Sequence, residues 1–297
     1  MEMMAKGTHG KLEKSRSSVL KDQQLKSFLD TSVVIKQRAG HSAHRVILSA
    51  TIPIPHYVNN YVRMEFYKAL LLDWIRLYFE SGESFHATFG DALLFYSDRF
   101  GRGPKTVLTA VGNLMTSIGF FLSETRDKEN CRQKLQDLIF ELALEFERCY
   151  RDTGDDPTRC ARLSSPLKLP EPQTRDEALL EFQKTFEAVE DCRKHCTIDT
   201  VYRRGGKYKI ENIEELRHQS LADKRVTRLS DLVHEALENS AKITCWSCAK
   251  MGDATIAASM PAGWRLHSLD TLHEPVCQAL AKDCEIHPSV AQVKKQA

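Results

Sequence analysis

Long apolar runs are scarce in this chain of 297 residues, and the scarcity sets the first limits. The uncharged stretch TVLTAVGNLMTSIGFFLS, between Lys105 and Glu124, has 18 residues, near the length of a membrane span. Three Thr, two Ser, two Gly and an Asn make it poor for lipid, so it reads as a buried helix and no membrane partner is expected. The 14 Gly and 10 Pro are scattered without period, which excludes fibrous and collagen-like classes. An excess of one charge is missing too. With 42 Lys+Arg against 40 Asp+Glu, any nucleic-acid contact has to come from a local patch. No apolar leader opens the chain: MEMMAKGTHGKLEKSRSS is polar and basic, and a cytoplasmic location is the expectation. Motifs of the forms G-x-x-x-x-G-K-[ST], G-x-G-x-x-G and G-x-S-x-G are absent, leaving nucleotide-hydrolase, dinucleotide and serine-hydrolase readings unsupported.

What is present is a core-forming composition, 42% hydrophobic and 28% charged. Residues 1–26 read as a flexible basic arm, with six Lys/Arg against three acids. KSFLDTSVVI reads as a buried strand carrying Asp30, and HRVILSATIPIP as a second β-type run closed by Pro53 and Pro55. A helix follows from about Asn59 to Phe79. Residues 82–240 turn helical, with apolar stripes at Leu135, Leu138, Ile139, Leu142 and Phe146, at Leu179, Phe182, Phe186 and Val189, and at Leu229, Leu232, Val233, Ala236 and Leu237. Within them, TVYRRGGKYKI reads as a β-hairpin near 200–210, turning at Gly205-Gly206. Residues 241–297 return to α/β character: GDATIAAS opens a helix, GWRLHSLD reads as a strand ending in Asp270, and HEPVCQALAKD as a closing helix.

Four acids stand out by context. Asp30 and Asp270 end strands, Glu65 lies on the helix after the second strand, and Asp253 opens a helix. In an open parallel sheet, strand ends and helix starts meet at one edge, where ligands bind, so residues up to 240 positions apart can converge. Carboxylates gathered there repel unless one is protonated or a cation sits among them, and an all-oxygen site suits Mg²⁺ or Mn²⁺. Each acid also has a plainer reading. Asp253 can be an N-cap, Glu65 a surface partner of Arg63 or Lys68, and Asp270 the start of a turn supported by Ser268. Asp30, flanked by SFL and VVI, is costly to bury without a counter-charge.

FLDTSVVI, YVRMEFYK, GDATIAAS and HSLDTLHEPVCQAL together resemble the PIN domain family of metal-dependent nucleases. The ordered acids Asp30, Glu65, Asp253 and Asp270 match that family's pattern, Ser268 matches its small hydroxyl two residues before the last acid, and Thr31 and Ser32 match the polar residues after the first. The likeness spans roughly 27–71 and 243–285. It implies an α/β fold, a PIN-like parallel sheet flanked by helices, built from 27–81 and 241–297 and interrupted by the mainly α-helical insertion 82–240. It also implies an Mg²⁺/Mn²⁺-dependent ribonuclease, of toxin or RNA-processing type, leaving 5′-phosphate and 3′-hydroxyl ends. Asp30, Glu65, Asp253 and Asp270 are then metal-holding catalytic residues, with Thr31 and Ser268 orienting them. An antitoxin or other protein partner goes with the toxin reading.

An acidic pocket repels RNA, so affinity must come from elsewhere. Arg203, Arg204, Lys207 and Lys209, interleaved with Tyr202 and Tyr208, suit a single-stranded backbone and its bases, or equally a solvated edge hairpin. Lys11, Lys14, Arg16, Arg99, Arg102 and Lys105 are weaker candidates. Nine cysteines at irregular spacings do not form a secreted disulfide framework. Cys192, Cys196, Cys245 and Cys248 have the number for a structural Zn²⁺, against the commoner fate of buried thiols. His267 and His273 flank Asp270 and suit acid–base roles or simple lining of the site. Two other classes remain open: a non-catalytic nucleic-acid or protein-binding module, and a zinc-stabilised helical scaffold.

Overall fold

The computed structural model describes residues 25–39, 42–80, 128–153, 174–187, 201–202, 208–219, 223–239 and 245–288. Five parallel strands form one sheet in the order β3-β2-β1-β4-β5: β1 Lys26–Leu29, β2 His56–Val58, β3 Tyr150–Asp152, β4 Trp264–Ser268 and β5 Asp283–Ile286. Parallel neighbours need crossover connections, and helices supply them. These are α1 Thr31–Ala39 and α2 Ser42–Thr51 between β1 and β2, then α3 Asn60–Phe66, a π-turn Tyr67–Leu71, α4 Leu72–Glu80 and α5 Lys128–Cys149 before β3. α6 Arg175–Glu187, α7 Glu211–Gln219, α8 Lys224–Glu238, α9 Cys245–Lys250 and α10 Gly252–Ser259 precede β4, and α11 His273–Ala279 links β4 to β5. The class is α/β. From β1 the chain moves one way to β2 and β3, then returns to the other side as β4, which puts a topological switch point between the ends of β1 and β4.

Several elements differ from the sequence reading, each for a physical reason. The β-type run 44–55 is mostly helix α2, with only His56–Val58 forming the strand. In a strand, Val46 and Leu48 would share a face; here Val46 is 67% exposed and Leu48 fully buried, while Leu48 and Ile52, four apart, both face the core. The VVI after Asp30 is likewise helical, because the chain turns at Asp30: its carbonyl accepts from Val33 N and Val34 N, and Val33 and Val34 pack inward. The middle of the chain is more than a helical insertion, since β3 lies within it and pairs with β2. Only three residues long and following directly on α5, β3 leaves almost no alternating pattern to read. The helix 273–279 does not close the fold either. It leads into β5, an edge strand whose DCEI sequence hides its period behind two acids.

The apolar stripes hold where they are described. Leu135, Ile139, Leu142 and Phe146 are buried on α5, Leu179 and Phe182 on α6, and Leu229, Val233 and Ala236 on α8, all in one core with Phe28, Leu29 and Leu266 of the central strands. Phe186 and Val189 fall outside the described side chains, as do residues 1–24 of the 1–26 arm, whose Lys26 instead begins β1, and the uncharged stretch 106–123. Among the described residues, no helix is long and apolar enough to cross a membrane.

Two polar ties fix α10 beneath the sheet edge. Asn59, fully buried, caps α3 by accepting from Val62 N at 2.8 Å, and its amide donates to Ser259 Oγ at the far end of α10. Lys282 donates to the carbonyls of Ala257, Ala258 and Met260, closing the C-terminus of α10 with a positive charge where the helix dipole favours one. Replacing Lys282 by Met should therefore lower the unfolding free energy by about 1–3 kcal/mol, read by urea denaturation. An unchanged midpoint would show that the three carbonyls find water instead.

Candidate functional site

Asp30 sits at the switch point. One residue past β1, it is 4% exposed and receives its backbone hydrogen bond by donating N–H to His267 O. Its Oδ2 accepts from Ser32 N, from Ser32 Oγ and, at 3.0 Å, from Ser268 Oγ. The Ser32 N–H bond is that of an N-cap on α1, and the positive end of that helix favours the anion. No described residue donates to Oδ1.

Ser268, the last residue of β4, organises the opposite wall. Its hydroxyl has one proton, given to Asp30, and two acceptor sites. Asp270 N donates to one at 2.9 Å, and His273 Nδ1 lies at 2.9 Å from the other. With the hydroxyl proton given to Asp30, His273 donates from Nδ1 and turns Nε2 toward Asp253. Nε2 is buried, has no hydrogen-bond partner among the described residues, and stands 3.6 Å from Asp253 Oδ1. Asp30, Asp253 and His273 offer ligand atoms that all lie within 4.8 Å of one another, a group able to hold a metal ion.

Asp253 is in the first turn of α10 but does not cap it. Met251 occupies that position without a side-chain bond, so the plain N-cap reading fails. Burial, with Asp30 and Asp270 adding repulsion, raises its carboxyl above the ordinary range, against the pull of His273 and Arg225. Glu65 comes from α3 and accepts from Thr31 Oγ1 at 2.5 Å. Arg63 is not its partner, being paired instead with Glu147 and Asp152. Burial first, then the charges of Asp30 and Asp253, push Glu65 up to about 8 despite the Thr31 hydrogen bond. Gly252 passes so close that a Cβ there would lie 2.8 Å from Glu65 Oε1 and 3.1 Å from Tyr61 Oη.

Of the four acids read from the sequence, Asp30, Glu65 and Asp253 thus come together, with Thr31 and Ser268 as their hydrogen-bonding support. Asp270 stands at the rim, its carboxylate accepting from Leu272 N and from Arg225 Nη1 at 3.0 Å. His273, named from the sequence as an acid–base or lining candidate, joins the site from the start of α11, whereas Arg225 on α8 was missed and had no sequence signal. Arg203, Arg204 and Lys207 lie outside the described residues. Lys209 is exposed with φ 49°, and the residues flanking it are turns, not strands. Tyr202 is buried, its hydroxyl bonded to Thr255 Oγ1 and Met251 O, so it anchors α10 and is not available to stack on a base. Cys192 and Cys196 are outside the described residues, and Cys245 and Cys248 lie on α9.

The chain matches no family model, no curated protein and no solved structure.

Two outcomes test this geometry. Glu65 holds a proton in the metal-free fold that the unfolded chain releases near its ordinary value of 4.5. Its contribution to stability is therefore complete below about 4.5 and lost as pH rises through about 8, a penalty of a few kcal/mol at most. In EDTA, Glu65→Gln should melt above wild type at pH 9 and level with it at pH 4; equal melting at both values would place Glu65 in water. Gly252→Ala should displace the Glu65 carboxylate, a flexible end, and weaken Mn²⁺ binding about tenfold while moving Tm little. Titration calorimetry alongside thermal melting separates the two effects.

Proposed function

We propose that this chain is a divalent-metal-dependent nuclease that hydrolyses phosphodiester bonds in RNA. The observation that carries the reading is the meeting of Asp30, Asp253 and the Nε2 of His273 at the switch point, with Glu65 beside them. Charged together, the carboxylates of Asp30, Glu65 and Asp253 would repel in a partly buried cleft, and the raised carboxyls of Glu65 and Asp253 reflect that repulsion. A bound divalent ion removes that repulsion, and its fit is tested by the donors themselves. Hard carboxylate oxygens suit Mg²⁺ or Mn²⁺, and the single imidazole tilts the set toward Mn²⁺. Asp30, Asp253 and His273 would hold it directly, with Glu65 alongside. The ion's chemistry there is Lewis-acid stabilisation of a phosphoryl group undergoing hydrolysis.

The chain's own groups do the rest. Ser268 and Thr31 hold the Asp30 and Glu65 carboxylates in orientation. Glu65, held by Thr31 beside Asp30 and Asp253, brings a further carboxyl group to the cleft. Arg225, held between Asp270 and Thr271 at 3.0 Å from each, places a guanidinium at the rim where a phosphate backbone would arrive. RNA as substrate, 5′-phosphate and 3′-hydroxyl products, a toxin or RNA-processing role with an antitoxin or other protein partner, and the wider PIN-like architecture rest on the ordered four-acid resemblance. The parallel α/β sheet and its edge site agree with that resemblance.

The test compares wild type with Asp30→Asn and Asp253→Asn on end-labelled RNA in Mg²⁺, Mn²⁺ and EDTA. Wild type should cleave with Mn²⁺ or Mg²⁺ and not in EDTA, and each variant should lose roughly a hundredfold or more in rate. Equal cleavage by wild type and Asp253→Asn, or cleavage indifferent to EDTA, would end the proposal.

A further inference from the structure

A second ligand cluster lies on the other face of the same strand. Side chains alternate along β4, so Ser268 turns toward Asp30 while His267 points the opposite way. In register, His267 pairs with Glu285 of β5, and His287 follows two residues later on the same face. The ladder runs on beyond the strand through His287 N donating to Ser268 O at 2.8 Å. His267 Nδ1 and His287 Nε2 lie 3.0 Å apart, with the rings stacked at an interplanar angle of 22°. Glu285 reaches both, Oε2 at 3.7 Å from His267 Nδ1 and Oε1 at 3.9 Å from His287 Nδ1. The imidazoles are 2% and 5% exposed, whereas the Glu285 side chain is 43% exposed.

We infer that His267, Glu285 and His287 form a binding site for a divalent transition-metal ion of the zinc class, separate from the carboxylate cleft. Two imidazoles and one carboxylate, with ligand atoms all within 4.8 Å of one another, are the donor set and span such an ion needs. An ion pair explains the cluster less well. Burial keeps His267 neutral, and a proton on it would face Arg265 and His287 at close range. An imidazole can bind an ion through one nitrogen while keeping a proton on the other, so each ring can contribute one ligand atom. Arg265 Nη1, 3.5 Å from Glu285 Oε2, competes for the carboxylate and sets an upper bound on affinity. The half-exposed Glu285 leaves one side open to water. Because β5, among the described residues, is an edge strand paired with β4 alone, an ion here would staple the sheet's last described pair together.

The experiment uses the full chain stripped with EDTA and titrated with Co²⁺, with Zn²⁺ as competitor, following ligand-field absorption and thermal melting. A double variant, Asp30→Asn with Asp253→Asn, removes the cleft, so this inference and the nuclease reading fail separately. About one equivalent of Co²⁺, displaced by Zn²⁺ and raising Tm, should persist in the double variant. Adding Glu285→Gln or His287→Gln should weaken it about tenfold or more. Should His287→Gln fail to fold, the half-exposed Glu285→Gln keeps the test decisive. Loss of Co²⁺ binding in the double variant, or undiminished binding after Glu285→Gln, would overturn the site.

Discussion

The hydroxyl of Ser268 is where the sheet and the cleft are joined. It gives its proton to Asp30 across the β1–β4 pair and takes protons from Asp270 N and His273 Nδ1. That one assignment shapes the rest of the wall: Asp30 is held by a hydroxyl donor, His273 donates from Nδ1 with Nε2 toward Asp253, and Asp270 is turned into its own local turn. A residue without a hydroxyl at this place would leave a buried carboxylate short of a donor and a buried imidazole free to flip, each costly in a low-dielectric setting. The sheet order makes the arrangement possible, since only at the switch point do the ends of two neighbouring strands face chain segments leaving in opposite directions.

The acids of the cleft are unevenly offset. Asp30 is offset by hydroxyl and backbone donors, and Asp270 by Arg225, but Glu65 and Asp253 are both raised by burial and by neighbouring acids. A structure kept only for stability has little reason to retain such groups, because apolar residues of similar size would pack there without repulsion. Groups whose proton affinities are pushed apart from their ordinary values, gathered in one cleft, are the physical signature of a site that binds or reacts.

How far the sequence alone reached follows the same physics. Asp30, Glu65 and Asp253 were legible because each combined an acid with a local context, a strand end or a helix start, and the α/β class followed from that alternation. The strands themselves were read less well. Leu48 and Ile52 carry a helical period that the β-branched composition of HRVILSATIPIP masks, and burial against the sheet overrode propensity. Strands β3 and β5, three and four residues long, have too few side chains to show an alternation. Arg225 could not have been found, because its meeting with Asp270 depends on how α8 packs against the β4–α11 turn, a long-range fact with no local trace.

The two histidines flanking Asp270 show why spacing alone could not assign their roles. His267 and His273 are six residues apart and looked equivalent, yet a strand and a helix separate them differently from the cleft. His267 belongs to β4, where alternation sends it to the face opposite Ser268 and into the company of Glu285 and His287. His273 begins α11, after a turn that brings it back over Ser268 and against Asp253. One strand thus carries donors for two faces, and moving its register by a single residue would exchange them. The pairing of Leu29 with His267 and of His267 with Glu285 is therefore the constraint that keeps the oxygen-rich cleft and the histidine cluster chemically distinct.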